Sequence, residues 1–269
     1  MKFKLAGLAA SGLLLAGTAF AQPKTTQQGI EEYRQMLQDG NPAELMIAKG
    51  ESLWKTRRGP RNASLEQCDL GKGPGVVKGA YAELPRHFAD TDSVMDFESR
   101  VVHCMVTLQG FARADVIRRP FSSEGESATE LESLTAFVTD ESRGTKVALP
   151  QRHPKEVAAF ERGEKIFYFR GGPYDFSCAS CHSVDNQRIR LQELPNLTQA
   201  EPAQRAFGSW PAYRVSQGAL RTMQWRLFDC FRQQRFPQLT YLSPASVDLI
   251  TFLGVKANGG KMDAPSLKR

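Results

Sequence analysis

The chain has 269 residues, of which 41% are hydrophobic, and a formal net charge of +6 at pH 7. The length and apolar content are sufficient for one large or two small domains with a real core. The basic excess is mild and contains no long basic run, so nucleic acid is not expected as a partner, whereas an anionic substrate or an acidic partner is compatible with it.

The N-terminus has the features of a secretory signal peptide. Lys2 and Lys4 precede an apolar run over residues 5–20, and Ala-Phe-Ala at residues 19–21 is typical of a cleavage site. We expect cleavage after residue 21, leaving about 248 residues with a net charge of +4. The apolar run is too short for a membrane span, and no later stretch is long enough. We therefore expect a soluble protein of the bacterial periplasm.

The rest of the chain is predicted to be mainly helical, with few strand signals. In chain order, helices are predicted over residues 25–37, 43–55, 131–139, 154–169, 211–235 and 246–254. Pro42 and Pro154 stand where a first-turn proline is tolerated. The polar residues 112–130 are expected to wrap the surface, and a linker between domains is expected within residues 142–153.

The most informative motif is Cys-Ala-Ser-Cys-His at residues 178–182. Cys-x-x-Cys-His is the attachment signature of a c-type haem. Cys178 and Cys181 would bond the haem vinyl groups, and His182 would ligate the iron. The thioredoxin-like alternative lacks a βαβ context, and the zinc alternative lacks a second ligand pair at short spacing. Export agrees with haem c, because this haem is attached after export.

An offset of 113 residues relates the motif to an earlier segment of the chain. Lys-Gly-Glu at residues 49–51 matches Arg-Gly-Glu at residues 162–164, and each glycine is followed nine residues later by Gly-Pro. The same offset places Leu65 and Asp69 on the first cysteine and the histidine of the motif. The first half therefore reads as a haem site that has lost one thiol and the iron ligand, and that retains Cys68.

The correspondence continues beyond the motif. Residues 99–104, which end in Cys104, match residues 225–230, which end in Cys230, and each half closes with an apolar helix. The predicted fold class is therefore mainly α, with two tandem cytochrome c-like domains related by duplication. The first domain, residues 22–148, lacks haem, and the second, residues 149–269, binds it.

The second axial ligand is open on the residues alone. Met223 and Met262 are candidates, because methionine is the usual second ligand of electron-carrying cytochromes c. His153 is less suitable because it precedes the motif, in the predicted linker. Cys230 is the third option, and its alternative is a buried free thiol.

Arg226 favours a role for Cys230. It lies four residues earlier on the predicted helix, so both side chains share a face. A guanidinium beside a thiol stabilises the thiolate, and its fork suits oxyanions. Arg232 and Arg235 are expected to add positive potential around the same pocket.

These motifs together resemble the SoxA family, the catalytic cytochrome subunits of the SoxAX complex of sulfur-oxidising bacteria. The resemblance covers essentially the whole mature chain. It rests on the signal peptide, the duplicated cytochrome domain, the Cys-x-x-Cys-His motif and, most specifically, Arg-x-x-x-Cys at residues 226–230.

The resemblance implies roles residue by residue. Cys178 and Cys181 would hold the haem, His182 would be the proximal ligand, and Cys230 would be the distal ligand and active-site sulfur, often found as a persulfide in this family. Arg226 would bind and orient thiosulfate. The family reaction joins thiosulfate oxidatively to a cysteine of the carrier protein SoxYZ and releases two electrons to cytochrome c acceptors. A SoxX-like cytochrome c subunit is the implied heterodimer partner.

One departure from the family pattern matters. Some members carry two haems in this subunit, but Leu65 and Asp69 remove the first site, so we expect one covalently bound haem c. The remaining Cys68 and Cys104 match Cys181 and Cys230, whose side chains must approach the same haem. Without a haem between them, Cys68 and Cys104 are predicted to form a disulfide, which export favours.

Two other functions are compatible with the motifs. One is a plain periplasmic electron-transfer cytochrome c with methionine ligation. The other is a thiosulfate dehydrogenase that forms tetrathionate without a carrier protein. Cys230 together with Arg226 favours the thiosulfate enzymes over the electron carrier.

Overall fold

A computed structural model describes residues 40–189 and 192–268, together with residues 25, 28–29 and 32–33. The predicted signal peptide lies outside the described residues. So does much of the predicted leading helix, of which residues 28–29 and 32–33 are helical.

The described chain is mainly helical, as predicted. Its α-helices are α1 (Ala43–Lys55), α2 (Phe97–Thr107), α3 (Arg113–Val116), α4 (Glu130–Asp140), α5 (Pro154–Tyr168), α6 (Cys178–His182), α7 (Ala200–Gly208), α8 (Met223–Gln233) and α9 (Pro244–Lys256). The helices predicted at α1, α4, α5 and α9 are confirmed to within two residues at each end. Both predicted first-turn prolines adjoin a helix start: Pro154 is the first residue of α5, and Pro42 directly precedes α1.

Short strands complete the secondary structure. They are β1 (Arg86–Phe88), β2 (Ser93–Met95), β3 (Arg188–Ile189), β4 (Gln192–Glu193), β5 (Ala212–Arg214), β6 (Ala219–Arg221) and β7 (Ser266–Lys268). The pairs β1–β2 and β3–β4 are antiparallel hairpins. In the third sheet, β5 pairs antiparallel with β6 and parallel with β7.

The prediction of one helix over residues 211–235 is wrong in its first part. Residues 212–221 form the β5–β6 hairpin, whose turn contains Gly218 in a left-handed conformation at φ 57°. The helix begins only at Met223, because the Thr222 side chain accepts a hydrogen bond from the Trp225 backbone N–H. All three residues of β6 are buried, so the strand has no alternation of exposed and buried positions that a pattern could reveal.

Each half is built on a pair of helices that cross in backbone contact. Helix α1 packs against α4, and α5 packs against α9. A Cβ atom on Gly50 would lie 2.0 Å from the Ser133 carbonyl oxygen, and one on Gly163 would lie 2.1 Å from that of Asp248. The two glycines that open the sequence repeat therefore occupy equivalent helix crossings.

The turn that follows α1 and the turn that follows α5 are also repeated. Gly59 has φ 72° and Gly172 has φ 70°. A Cβ atom would lie 2.3 Å from the Gln109 carbonyl oxygen in the first turn and 2.5 Å from that of Arg235 in the second. Positive φ and this close approach both require glycine.

The two halves meet around an approximate two-fold axis. Residues 144–147 and 259–262 run antiparallel with Lys146 opposite Lys261, and backbone hydrogen bonds of 2.7–2.9 Å join the two segments. An offset of 115 residues superposes one segment on the other. Residues 142–153, where a linker between domains was predicted, are in part buried: Val147 and Leu149 belong to the core.

A second contact obeys the same symmetry. Asp96 caps α2 and Thr222 caps α8. The Gln224 amide donates to the Asp96 carboxylate at 2.6 Å, and the Thr222 hydroxyl donates to Glu98 at 3.0 Å. An offset of 126 residues relates Asp96 to Thr222 and Glu98 to Gln224. Asp96 thus contacts the counterpart of Glu98, and Glu98 contacts the counterpart of Asp96, as in a two-fold interface between identical subunits.

The main hydrophobic core runs through both halves, from Trp54 on α1 to Leu253 on α9. None of the helices in the described part of the chain combines the length and the apolar character that a membrane crossing needs.

Candidate functional site

Helix α6 presents the two cysteines of the haem motif. Ser177 sets its start, because the Ser177 hydroxyl accepts from the Ser180 backbone N–H at 3.1 Å and the Ser180 hydroxyl accepts from that of Ser177 at 3.0 Å. Cys178 and Cys181 are three residues apart and therefore lie on one face of the helix. Neither of them forms a disulfide. This arrangement suits two thioether bonds to one flat ligand.

His182 ends the same helix and is oriented by a loop. Its Nδ1 donates to the Pro195 carbonyl oxygen at 2.9 Å, which leaves Nε2 as the unprotonated nitrogen. Burial lowers the pKa of His182, although the hydrogen bond to Pro195 acts in the opposite direction. The loop is held by a hydrogen bond from the Asn196 amide to Asp185 at 2.7 Å. A neutral imidazole with a second hydrogen-bond partner is the form that ligates a metal.

Cys230 lies on α8 and faces the motif. Its thiol is close enough to Cys181 and Cys178 for their charged forms to interact electrostatically. Burial raises the pKa of Cys230, and the positive charge of Arg226 acts to lower it. Burial also raises the pKa of Cys178 to about 12. Sequence reasoning expected Arg226 to favour the Cys230 thiolate; in the protein, burial outweighs it, so metal ligation would have to supply the thiolate.

Arg226 is held by a residue that sequence reasoning missed. The Asp229 carboxylate lies 3.5 Å from Arg226 Nη1 and also accepts from Arg232 at 2.8 Å and from the Gln233 amide at 2.6 Å. The spacing of three residues on one helix could have indicated the first pair. Arg232 is thus paired with Asp229, and the Arg235 guanidinium lies 5.6 Å from the centre of the Tyr174 ring.

The other ligand candidates have different positions. His153 accepts a hydrogen bond at the start of α5 and stacks on His87, with ring centres 3.6 Å apart. Met262 is buried in the segment that pairs with residues 144–147. Met223 opens α8, about two helical turns before Cys230.

These residues fit a c-type haem. Two thiols one turn apart, a neutral imidazole with Nε2 available and a third sulfur facing them are the donor set that such a group needs. Arg214 adds a buried guanidinium nitrogen, Nε, that has no hydrogen-bond partner among the described residues. In the described chain, no cluster of three or more His, Cys, Asp and Glu side chains is arranged to hold a free metal ion.

The equivalent region of the first half is organised around a disulfide. Cys68 and Cys104, the pair predicted from the repeat, are bonded, with their Cα atoms 5.7 Å apart. Asp69, at the position of His182, accepts from the backbone N–H of Gly71 at 2.6 Å and from that of Gly73 at 2.9 Å. Its carboxylate therefore stabilises a turn.

The family model described as "SoxA/TsdA, cytochrome c domain" matches residues 49–147, in the half that lacks the haem motif. The L-cysteine S-thiosulfotransferase subunit SoxA of Hydrogenophilus thermoluteolus is 52% identical over 242 residues, covering 90% of this chain and 88% of that protein. A protein of the same name from Hydrogenobacter thermophilus is 28% identical over 255 residues, covering 93% and 92%.

The fold is similar to that in the crystal structure of SoxXA from P. pantotrophus. The TM-score is 0.72 at 23% sequence identity, and the match covers 88% of this chain and 84% of that one.

Proposed function

Because the chain belongs to the SoxA family of L-cysteine S-thiosulfotransferase subunits, we propose that it joins thiosulfate oxidatively to a cysteine of a SoxYZ-type carrier protein. The observation that carries the proposal is the placement of Cys230 and Arg226 on one helix, α8, facing the Cys-x-x-Cys-His motif on α6. An electron carrier needs the motif but not this cysteine and arginine.

The residues divide into a cofactor site and a substrate site. Cys178 and Cys181 would hold one haem c through thioether bonds, and His182 and Cys230 would ligate its iron. When bound, the haem supplies a redox centre that accepts electrons. Pro195 keeps Nε2 of His182 available as a ligand, through its hydrogen bond to Nδ1. Arg226 binds the sulfonate end of thiosulfate, and Asp229 positions its guanidinium.

The reaction needs two anionic sulfur compounds to come together. The carrier thiol loses its proton, an S–S bond forms between the carrier sulfur and the terminal sulfur of thiosulfate, and two electrons leave to cytochrome c acceptors. The positive charge of Arg226 offsets the repulsion between the two anions. The partly exposed Arg226 side chain is accessible to a small anion.

The wider assignment follows from the family and the sequence. The chain is the SoxA-type subunit of a heterodimer with a SoxX-like cytochrome c, it acts in the periplasm after removal of residues 1–21, and its domains are residues 22–148 and 149–269. The equivalent helix crossings at Gly50 and Gly163 and the two-fold contacts between the halves support the division into two domains.

The test compares Cys230→Met and Arg226→Ala with the unmodified protein, each with the SoxX-like subunit, thiosulfate, the carrier protein and a cytochrome c acceptor. Cys230→Met is expected to keep one haem, by pyridine haemochrome assay and intact mass, but to lose the thiolate spectrum and turnover. Arg226→Ala is expected to keep haem and ligands while kcat/KM falls by about 10- to 150-fold, the equivalent of one charge-assisted contact of roughly 1.5–3 kcal/mol.

Arg205→Gln is the matched control, because Arg205 is an exposed arginine of the same domain whose ion pair is with Glu201 on α7. Full activity of Cys230→Met would remove the sulfur from the reaction and leave the His182-ligated haem as a simple electron relay. Acceptor reduction that does not need the carrier protein would indicate a tetrathionate-forming thiosulfate dehydrogenase. Two haems per chain would contradict the reading of residues 65–69.

A further inference from the structure

Arg214, at the end of β5, has a side-chain hydrogen-bond donor that the surrounding described residues leave unpaired. Its Nε atom is buried and has no hydrogen-bond partner among the described residues. Burial lowers the pKa of Arg214 and the positive charge of Arg226 lowers it further, although the negative charge of Asp229 acts in the opposite direction. A buried, unpaired guanidinium N–H beside another arginine is unfavourable unless an anion joins them.

The first half provides an internal comparison, because its hairpin has the same register. Phe88 is opposite Ser93 in β1–β2, and Arg214 is opposite Ala219 in β5–β6. The offset of 126 residues therefore places Arg214 on Phe88. A hairpin of this shape folds with phenylalanine at that position, so the backbone does not require an arginine there.

The charges around the two hairpins differ. In the first half, Arg100, the counterpart of Arg226, lies 4.2 Å from the centre of the Phe88 ring and donates to both oxygens of Asp90 at 2.7 and 2.9 Å. The counterpart of Asp90 in the second half is Ser216. In the first half, the charge of Arg100 is neutralised by an acid on the hairpin. In the second half, there are two arginines, Arg214 and Arg226, and the hairpin has no acid at the equivalent position.

Asp229 does not remove this excess of positive charge. Its two oxygens accept from Arg232 and from the Gln233 amide, and Arg226 lies at 3.5 Å, a longer distance. Nε of Arg214 therefore remains an unused donor near Arg226, whose charge also reaches His182 and Cys230 of the haem site.

We propose that Arg214 is a second anion-binding residue of this site and that it holds one oxygen-bearing anionic group together with Arg226. The inference rests on the proposed function. The shared chemistry is a carboxylate or sulfonate oxygen between two guanidinium groups. Two sources have it: the sulfonate end of thiosulfate, and a carboxylate of the haem.

The test uses Arg214→Phe, which installs the residue found at the equivalent position of the first half, and Arg214→Lys, which keeps the charge but removes Nε and the fork. Arg205→Gln, which removes one positive charge of the same domain away from the site, is the control. Each protein is prepared as the complex with its SoxX-like subunit, and haem content and circular dichroism establish that it is folded.

Two measurements distinguish the sources. If the group is thiosulfate, Arg214→Phe raises the KM for thiosulfate by about 10- to 150-fold, the loss of one charge-assisted contact, with a smaller change in kcat and an unchanged midpoint potential. If the group is a haem carboxylate, the midpoint potential of Arg214→Phe falls and becomes more strongly pH-dependent, because the carboxylate without its guanidinium partner takes up a proton at higher pH, while KM changes little.

The KM or the midpoint potential, whichever changes in Arg214→Phe, is expected to take an intermediate value in Arg214→Lys, between those of Arg214→Phe and the unmodified protein. The proposal is overturned if KM, midpoint potential and its pH dependence in both Arg214 variants equal those of Arg205→Gln. If Arg214→Phe does not take up haem, the same comparison is made with Arg214→Lys alone. The midpoint potential is measured without turnover, so this comparison remains decisive even if the unmodified complex does not act on thiosulfate.

Discussion

At the scale of single residues, the least expected feature is a pair of carboxyl groups buried where the two halves meet. Asp96 and Glu98 are both buried, and Glu98 accepts hydrogen bonds from the hydroxyl groups of Thr222 at 3.0 Å and Tyr241 at 3.2 Å. Burial, reinforced by the charge of Asp96, raises the pKa of Glu98 well above its usual range. Burial likewise raises the pKa of Asp96.

These shifts predict how stability depends on pH. A carboxyl group with a raised pKa holds its proton more tightly in the folded than in the unfolded state, so its contribution to stability is full below the unfolded pKa of about 4.3 and is lost as pH rises toward the folded pKa. Glu98→Gln, which keeps an acceptor oxygen but cannot ionise, is therefore expected to gain stability relative to the unmodified protein as pH rises from 4 to 8. Denaturant unfolding at several pH values measures this.

Glu161→Gln is the control, since Glu161 is an exposed residue of α5. If Glu98→Gln becomes relatively less stable with rising pH, the ionised Glu98 is favourable in the folded protein and the assignment of burial as the dominant effect is wrong.

At the scale of secondary structure, the two glycine crossings decide how closely the helices of each half approach. Gly163 lies between the Asp248 backbone and the Phe252 side chain, with a hypothetical Cβ only 2.1 Å from the Asp248 oxygen. The contact is with backbone, so a side-chain rotation cannot relieve it. Helix α5 leads directly toward the motif helix α6, and the crossing thus positions the cysteines that would receive the haem.

Gly163→Ala is expected to destabilise the protein by about 1–3 kcal/mol, because α5 and α9 must separate to admit the methyl group. If the helices did not cross there, alanine would be favoured over glycine in the helix by roughly 1 kcal/mol. Gly40→Ala is the control, since a Cβ there meets nothing within 4 Å. Denaturant unfolding and haem content are the measurements, and a stabilised Gly163→Ala would show that the backbones separate readily.

At the scale of the whole molecule, the two halves use one architecture with different internal links. In the first half, Cys68 on the degenerate motif is bonded directly to Cys104 on α2. In the second half, the matching Cys181 and Cys230 are not bonded to each other and face a common site. The disulfide therefore connects, within the first half, the elements that a haem would connect in the second.

Replacing both bonded cysteines, as Cys68→Ala with Cys104→Ala, is expected to cost about 3–4 kcal/mol, the chain-entropy value for a loop of this length. The three cysteines of the haem domain are untouched, so haem content is expected to remain at one per chain. Guanidinium unfolding of the two purified proteins measures the difference. An unchanged midpoint would mean that the bond does not constrain the unfolded chain, and free thiols at both positions in non-reducing peptide mapping would contradict the bond itself.

Features that depend on short spacing or on internal repetition could be predicted from the amino-acid sequence alone. The haem motif, the helix starts near Pro42 and Pro154, the offset of 113 residues and the pairing of Cys68 with Cys104 were all readable, because each depends on neighbours within a few residues or on comparing the chain with itself. The arrangement of Arg226 and Cys230 on one helix was predicted for the same reason.

The distant groups that complete the site and join the halves could not be predicted in this way, because folding brings them together. The β5–β6 hairpin was missed because its three-residue strands are stabilised by pairing partners, β7 included, and not by their own pattern. The Pro195 oxygen on His182, the unpaired Nε of Arg214 and the reciprocal contacts of Asp96 and Glu98 were also unreadable. Hydrogen bonding and burial at such positions depend on groups brought together by folding, in the last case from more than 120 residues away, and no local pattern encodes that distance.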